Sequence, residues 1–250
     1  MNLPDPGRRC AACGGAFPPG ASFCAECGAP TAHQRQAAAR GHLEARRKVR
    51  RALASVALVF AGTLALSGTV HILLGALDER WRSLAGEGGL LLVGLLACLP
   101  LGYGGVRATL PLHASPAHLA LGIAGGALAA GIAWLYVVVL RGLAPGAAEG
   151  GPDPAWLRAL LLAGWTPAVE EWLCRGVLWA ALDRLAGARA ALVASAALFA
   201  LLHGLNGAGW LELPHRFAAG LVFGWLRLRS GGLPAPVVAH AVLNGAAILM

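Results

Sequence analysis

The sequence predicts an all-α polytopic membrane protein with a small, separate N-terminal domain. Of its 250 residues 57% are hydrophobic and only 13% are charged, and the mean hydropathy is +0.64. Such a composition is too apolar for a soluble domain of this size. Several apolar stretches reach the length of roughly 17–25 residues that a helix needs to cross a bilayer. Of the six cysteines, four lie close together near the N-terminus, which sets that part of the chain apart.

Residues 1–31 are predicted to form the N-terminal domain because they hold two closely spaced pairs of cysteines. Cys10 and Cys13 are separated by two residues, as are Cys24 and Cys27, and a glycine follows each pair. Two thiolates on such a tight turn face the same ion, and two turns complete a tetrahedral site. A segment this short also needs a covalent or metal cross-link to be stable. The pattern predicts a zinc ribbon in which the four cysteines bind structural Zn²⁺.

Two disulfides or a redox-active pair would use the same four cysteines. The basic segment that follows is typical of a reducing cytoplasmic face, and no thioredoxin-like βαβ pattern surrounds the pairs, so zinc is the preferred interpretation. The spacing does not indicate what the ribbon contacts. A cytosolic protein partner, the sensing of metal or redox state, and a purely stabilising cap all stay open.

Residues 32–52 are predicted as a basic juxtamembrane linker. Residues 1–51 carry nine Lys/Arg and three Asp/Glu, a net charge of +6, whereas residues 52–250 carry eleven and nine, a net charge of +2. Positive charge beside a first apolar span faces the cytoplasm and binds anionic lipid headgroups. Residues 1–9 lack the apolar region of a secretory signal peptide. We therefore predict an integral protein of a bacterial cell membrane with a cytoplasmic N-terminus, and we disfavour nucleic acid as a partner because the basic segment directly abuts a span.

Seven apolar segments are predicted to cross the bilayer, which with this orientation would place residue 250 outside. The first three, within residues 53–140, are interpreted as a scaffold, and residues 155–250 as a helical catalytic core of four spans. An acidic loop is expected at residues 78–87, and Ser115 and Pro116 are suited to cap and begin the third span. The predicted spans are 53–77, 89–106, 117–140, 156–185, 188–205, 214–228 and 233–250.

Glycine and proline predict two local features of these spans. Glycines at small-x-x-x-small spacing allow close helix packing, at Gly122, Gly125 and Gly126 in the third span and at Gly220 and Gly224 in the sixth. The fourth span is expected to start after an Asp153-Pro154 cap and to be interrupted by Pro167. A proline lacks a backbone donor, so we expect it to free the carbonyl of Ala163 and to kink the helix just before Glu170.

Six polar side chains fall inside the last four predicted spans: Glu170, Glu171, Arg175, His203, His240 and Asn244. A charge in hydrocarbon costs several kcal/mol, so such residues are kept mainly where they pair or function. Glu171 and Arg175 are four residues apart and are therefore expected to form an ion pair on one helix face, whereas Glu170 is rotated by about 100° and can face elsewhere. His240 and Asn244 share a face for the same reason. Phe199 is placed to pack beneath His203.

Carboxylates, imidazoles and a carboxamide together are suited to adding water to a carbonyl group. A carboxylate accepts a proton from the water, an imidazole holds that water, and histidine and asparagine donate hydrogen bonds to the developing oxyanion. The same Glu/His/His set could instead bind one divalent metal ion that activates the water. Neither an H-E-x-x-H sequence nor a G-x-S-x-G sequence is present. Zincin and serine-hydrolase sites are therefore not supported.

These residues resemble the CPBP family, the CAAX-protease and bacteriocin-processing (Abi) membrane endopeptidases, which are related to the Ras-converting enzyme. The resemblance covers about residues 155–248 and is carried by the motifs Glu170-Glu171-x-x-x-Arg175, Phe199-x-x-x-His203, Phe217-x-x-Gly220-x-x-x-Gly224 and His240-x-x-x-Asn244. It implies a helical membrane core that hydrolyses a peptide bond of a prenylated or hydrophobic peptide or protein. It also implies that Glu170 activates water beside His203 while His240 and Asn244 support the oxyanion. A catalytic metal stays open, and the ribbon lies outside the resemblance.

Two other functions would use the same sequence features. A non-proteolytic scaffold or bacteriocin-immunity-type protein could keep the polar cluster for stability and use the ribbon to bind a partner. A small transporter could carry protons along the buried Glu and His residues. The transporter is disfavoured because no inverted repeat is apparent.

Overall fold

The computed structural model describes residues 9–17, 20–75, 79–143, 160–204 and 210–249. From residue 32 onward these residues are helical except for short connections, whereas residues 9–17 and 20–31 form turns with two isolated antiparallel bridges, Arg9 with Ala16 and Phe23 with Pro30. The chain divides into two compact units, residues 1–50 and 51–250, and each is described by itself. The predicted all-α membrane architecture with an N-terminal cysteine cluster is confirmed.

The N-terminal unit contains two turns with the same geometry, one for each cysteine pair. In each turn the first cysteine accepts a backbone hydrogen bond from the glycine four residues later, Gly14 N to Cys10 O at 2.8 Å and Gly28 N to Cys24 O at 2.9 Å. Both glycines have a positive φ, +75° and +71°, which side chains rarely tolerate. The glycine after each pair therefore lets the chain close the turn.

Helix α1 spans Ala32–Leu73 and begins with Thr31, whose hydroxyl accepts a hydrogen bond from the Gln34 backbone N–H at 3.3 Å. Residues 32–52, predicted as a linker, form its first half and continue without a break into the predicted first span. Their high content of Ala, Arg and Gln favours this conformation. The boundary between the two units falls inside the helix.

The remaining helices are α2 to α8. Helix α5 runs from 160 to 186 and consists of a π-helical segment Leu161–Trp165, an α-helical segment Thr166–Glu171, a second π-helical segment Trp172–Leu178 and the α-helical end Trp179–Ala186. The other helices are α2 (Glu79–Cys98), α3 (Gly102–Thr109), α4 (Pro116–Leu143), α6 (Ala188–His203), α7 (Leu213–Ser230) and α8 (Pro234–Leu249).

The acidic loop predicted at residues 78–87 is wrong, because α2 begins at Glu79 and carries Glu87 on its third turn. The run of glycines around Glu87 suggested a loop, but in the structure Gly89 lies against Leu66 of α1, so glycine serves close helix packing here. The start of α4 is as predicted, with the Ser115 hydroxyl accepting the His118 backbone N–H at 3.2 Å. Asp153-Pro154 lies outside the described residues.

Three helical segments in the described part of the chain are long and apolar enough to cross a membrane, and two shorter helices are also apolar. The long segments are Ala32–Leu73, Leu84–Thr109 and Pro116–Leu140, and the shorter ones are Ala188–His203 and Pro234–Ile248. The count of seven spans stays a prediction. The protein is an integral membrane protein.

The predicted glycine contacts hold the core helices together. A Cβ at Gly126 of α4 would lie 2.5 Å from the Ala239 carbonyl oxygen of α8, and a Cβ at Gly220 of α7 would lie 3.0 Å from Ala196 of α6. The approach at Gly126 is closer than a methyl group allows, and the approach at Gly220 is tighter than most contacts of a Cβ atom. The role of these glycines in helix packing is therefore confirmed, and it lets α4 approach α8 and lets α7 approach α6.

Candidate active site

Five of the six predicted polar residues form one connected cluster between helices α5, α6 and α8. Its centre is the Glu171 carboxylate, whose Oε1 accepts hydrogen bonds from Arg175 Nη1 at 3.0 Å and from His240 Nδ1 at 3.0 Å. The side chains of Glu171 and Arg175 are 0% exposed, and that of His240 is 1% exposed. A buried carboxylate thus has a cation and an imidazole as partners, which compensates for its removal from water.

Arg175 also links α5 to α7. Its Nη2 donates to the Gly220 carbonyl at 2.9 Å. Its guanidinium lies over the rings of Phe199 and Phe223, 4.8 and 5.4 Å from their centroids, so that it is held between α6 and α7. Phe223 in turn stacks on His240 with the ring centroids 5.0 Å apart. The two phenylalanines therefore fix both partners of Glu171.

Glu170 faces a different direction from Glu171. Its Oε2 lies 3.7 Å from His203 Nε2 and 3.8 Å from His240 Nε2, and its side chain is 18% exposed. Both distances are longer than a direct hydrogen bond. Within the described part of the chain Oε2 has no hydrogen-bond partner although it is buried. One carboxylate oxygen is thus turned towards two imidazole nitrogens without bonding to either.

The hydrogen bonds of the two histidines determine which ring nitrogen each presents to Glu170. His203 Nδ1 lies 2.9 Å from the Phe199 carbonyl oxygen, and a carbonyl can only accept, so Nδ1 carries the proton. His240 Nδ1 donates to Glu171 in the same way. In both residues Nε2 is therefore the atom that faces Glu170. The predicted packing of Phe199 against His203 is confirmed, with ring centroids 4.4 Å apart.

Asn244 is tied to the backbone of α5. Its Nδ2 donates to the Leu162 carbonyl at 2.7 Å. The backbone N–H of Thr166 bonds to the Leu161 carbonyl five residues earlier, so in this π-helical register Pro167 would be the partner of Leu162. Because proline has no N–H, Asn244 supplies the missing donor. The expectation that Pro167 frees the Ala163 carbonyl is corrected: the carbonyl that takes up the side-chain donor is that of Leu162.

Sequence reasoning missed three residues around this cluster: Phe223, Thr166 and Glu87. The Thr166 hydroxyl donates to Glu87 Oε1 at 2.6 Å and connects α5 with α2. The spacing of four residues between Thr166 and Glu170 places both on one helix face and could have pointed to Thr166. The sequence predicts a loop at Glu87, so it does not indicate the contact of this residue with the core.

The four N-terminal cysteines fit a tetrahedral metal site. Their sulfur atoms all lie within 4.8 Å of one another, and the closest pairs, Cys10 with Cys27 and Cys13 with Cys24, are 3.6 Å apart. Zinc–sulfur bonds of about 2.3 Å imply a separation of roughly 3.8 Å between thiolates in a tetrahedron. A disulfide would need about 2.05 Å, and all four cysteines are free. The backbone N–H groups of Ala12 and Cys13 lower the pKa of the Cys10 thiol to about 7. The pKa values of Cys13 and Cys27 are raised, because neighbouring thiols and burial outweigh their backbone hydrogen bonds.

Comparison with known proteins identifies the last part of the chain. Residues 152–246 match the protein-family model of the Rce1-like, type II CAAX prenyl endopeptidases. This segment contains Glu170, Glu171, Arg175, His203, His240 and Asn244, and it excludes the cysteine cluster and helices α1 to α4. No curated protein and no solved structure matches the chain. The resemblance to CAAX-type intramembrane proteases is therefore confirmed over this segment.

Proposed function

We propose that the protein is an intramembrane endopeptidase that hydrolyses a peptide bond of a prenylated or hydrophobic peptide or protein. The family match supports a CAAX-type intramembrane protease. The observation that carries the mechanism is the position of Glu170 Oε2, which faces His203 Nε2 at 3.7 Å and His240 Nε2 at 3.8 Å and has no hydrogen-bond partner in the described part of the chain. The Glu170 carboxylate can accept a proton, and the imidazoles of His203 and His240 lie next to it.

In this proposal Glu170 is the general base. A water molecule between Glu170 Oε2 and His203 Nε2 gives its proton to Glu170, and its oxygen attacks the carbonyl carbon of the scissile bond. The resulting oxyanion accepts hydrogen bonds from His240 Nε2, when that ring carries both protons, and from the second amide hydrogen of Asn244. The carbon–nitrogen bond then breaks as Glu170 returns the proton to the departing amine. The products are a carboxylic acid and an amine, and Glu170 is again ionised.

The other residues of the cluster hold this geometry in place. Glu171 accepts a hydrogen bond from His240 Nδ1 and so fixes the ring with Nε2 towards Glu170. Arg175 neutralises Glu171. The bond from Asn244 to Leu162 orients the carboxamide against α5. We therefore assign Glu171 and Arg175 to architecture and Glu170 to the reaction.

The proposed mechanism uses no catalytic metal. In the described part of the chain the group close enough to share one ion is the cysteine cluster. Glu170, His203 and His240 have the right donor atoms for a divalent ion. The metal content of the purified protein therefore tests both the absence of a catalytic metal and the zinc site of the four cysteines.

Cleavage of defined peptides by the purified protein tests the proposed function. The purified protein in detergent is assayed with three fluorogenic substrates: a prenylated peptide, the same peptide without the lipid, and a hydrophobic peptide. The cleavage products are identified by mass spectrometry. We expect cleavage of at least one substrate and a loss of about 10–100-fold in His203→Ala, because the water loses an acceptor. His42→Ala, at an exposed position of α1, is the control. Full cleavage by His203→Ala would contradict the mechanism, and the absence of cleavage by the wild type would favour the scaffold function.

We propose that Cys10, Cys13, Cys24 and Cys27 bind one structural Zn²⁺ and that the ribbon contacts a cytosolic protein, with the N-terminus in the cytoplasm of a bacterial cell. Metal analysis of the purified protein should give about one zinc per chain, and the Cys10→Ser/Cys13→Ser variant should contain none, because two ligands are lost. Cys98→Ser, which changes a buried cysteine outside the cluster, should keep its zinc. An ion that stays in the double variant and is lost on changing His203 would instead indicate a metal at the active site.

A further inference from the structure

The Thr166 side chain makes a contact that a threonine inside a helix rarely makes. Its hydroxyl is only slightly exposed and donates to Glu87 Oε1 of α2 at 2.6 Å. A helical threonine ordinarily donates to the carbonyl four residues earlier. For Thr166 that carbonyl belongs to Leu162, which is already bonded to Asn244. The Thr166 hydroxyl instead donates to a partner on another helix.

Two side chains thus hold the start of the short segment that carries Glu170. Asn244 comes from α8 and bonds to Leu162, and Glu87 comes from α2 and bonds to Thr166, one helical turn before Glu170. A short O–H···O⁻ bond is among the stronger hydrogen bonds, and the apolar surroundings strengthen it further. The rotation of this segment about its axis decides where Glu170 points, and it is fixed from both sides.

Glu87 is also part of the electrostatic surroundings of the site. Its carboxylate lies within electrostatic range of Glu170 and His240. Its second oxygen, Oε2, is buried and has no hydrogen-bond partner in the described part of the chain. The residue lies outside residues 152–246, so the family match assigns no role to it.

We propose that Glu87 is a positioning residue of the active site, which acts by accepting the Thr166 hydroxyl and thereby orienting Glu170 towards His203 and His240. This rests on the proposed peptidase function. The scaffold helices then contribute one group to the site rather than serving as a support alone. Misplacing a reacting group by about 1 Å can reduce the rate by about 10²-fold, so one hydrogen bond at this place is enough to affect turnover.

A double-mutant cycle on Glu87 and Thr166 tests the proposal. We expect Glu87→Ala and Thr166→Val each to lower kcat by about tenfold with KM changed less than about twofold, because the substrate contacts are kept while the base is misplaced. The double variant should be no slower than the slower single variant, since both remove the same bond. Glu87→Gln and Thr166→Ser retain the acceptor and the donor and should restore most of kcat.

Melting temperatures are measured for all variants, with Glu44→Ala on the exposed part of α1 as the control. Active variants whose kcat equals that of the wild type would overturn the proposal, as would losses in kcat that multiply in the double variant. Coupling in the melting temperature without coupling in kcat would show that the bond only joins two helices. A drop in Glu87→Gln as large as in Glu87→Ala would show that the charge acts instead of the hydrogen bond. A wild type that cleaves nothing would refute the peptidase function itself, which separates the two failures.

Discussion

Glu170→Gln is expected to lose cleavage by about 10²–10⁴-fold while it keeps the fold of the wild type. Glutamine has the size of glutamate and can still accept a hydrogen bond, but its amide oxygen is too weak a base to take a proton from water. The fold should persist because Glu170 Oε2 has no hydrogen-bond partner among the described residues and so stabilises little. The measurement is kcat/KM for the best peptide substrate together with the melting temperature.

Two variants show whether this loss is specific to Glu170. Glu44→Gln makes the same change on the exposed part of α1 and should be fully active. Glu171→Gln changes the neighbouring residue, which is 0% exposed and bonded to Arg175 and His240, and should lower the melting temperature as well as the activity. If Glu170→Gln cleaved at the rate of the wild type, Glu170 would not be the base. If it also melted early, its role would be structural.

The membrane fold and the set of polar residues could be predicted because both follow from the cost of polarity in hydrocarbon. Long apolar runs identify spans, and the few ionisable groups inside them must find partners or a function. The spacing of four between Glu171 and Arg175 predicts their pairing, which the structure contains at 3.0 Å. The clustering of the four N-terminal cysteines could be predicted in the same way, since their spacing has few structural solutions.

The missed features depend on packing between helices that are distant in the sequence. Glu87 stands among glycines, which locally suggest a loop, but it lies within helix α2, where Gly89 packs against Leu66 of α1. The π-helical register before Pro167 shifts the freed carbonyl from Ala163 to Leu162, and helix register is not encoded in local composition. Asn244 is four residues from His240 on α8, as the sequence shows, but its partner on α5 depends on that register.

Arg175→Met is expected to destabilise the protein by about 3–5 kcal/mol, because it leaves the charge of Glu171 buried with only His240 beside it. Both members of the pair are 0% exposed, so water cannot replace the guanidinium. The change also removes the donor to the Gly220 carbonyl and the cation held between Phe199 and Phe223. The free energy of unfolding is measured by titration with a denaturing detergent.

A second Glu–Arg pair with the same spacing of four provides the control. Glu212 and Arg216 are 2.9 Å apart, but their side chains are 36% and 25% exposed, so Arg216→Met should cost only about 0–1 kcal/mol. Adding Glu171→Gln to Arg175→Met should restore part of the lost stability, because the unpaired charge disappears. Equal losses in Arg175→Met and Arg216→Met would mean that burial does not set the strength of the pair. In that case Glu171 and Arg175 could not be assigned to the architecture of the site, and the division of roles between the two adjacent glutamates would fail with it.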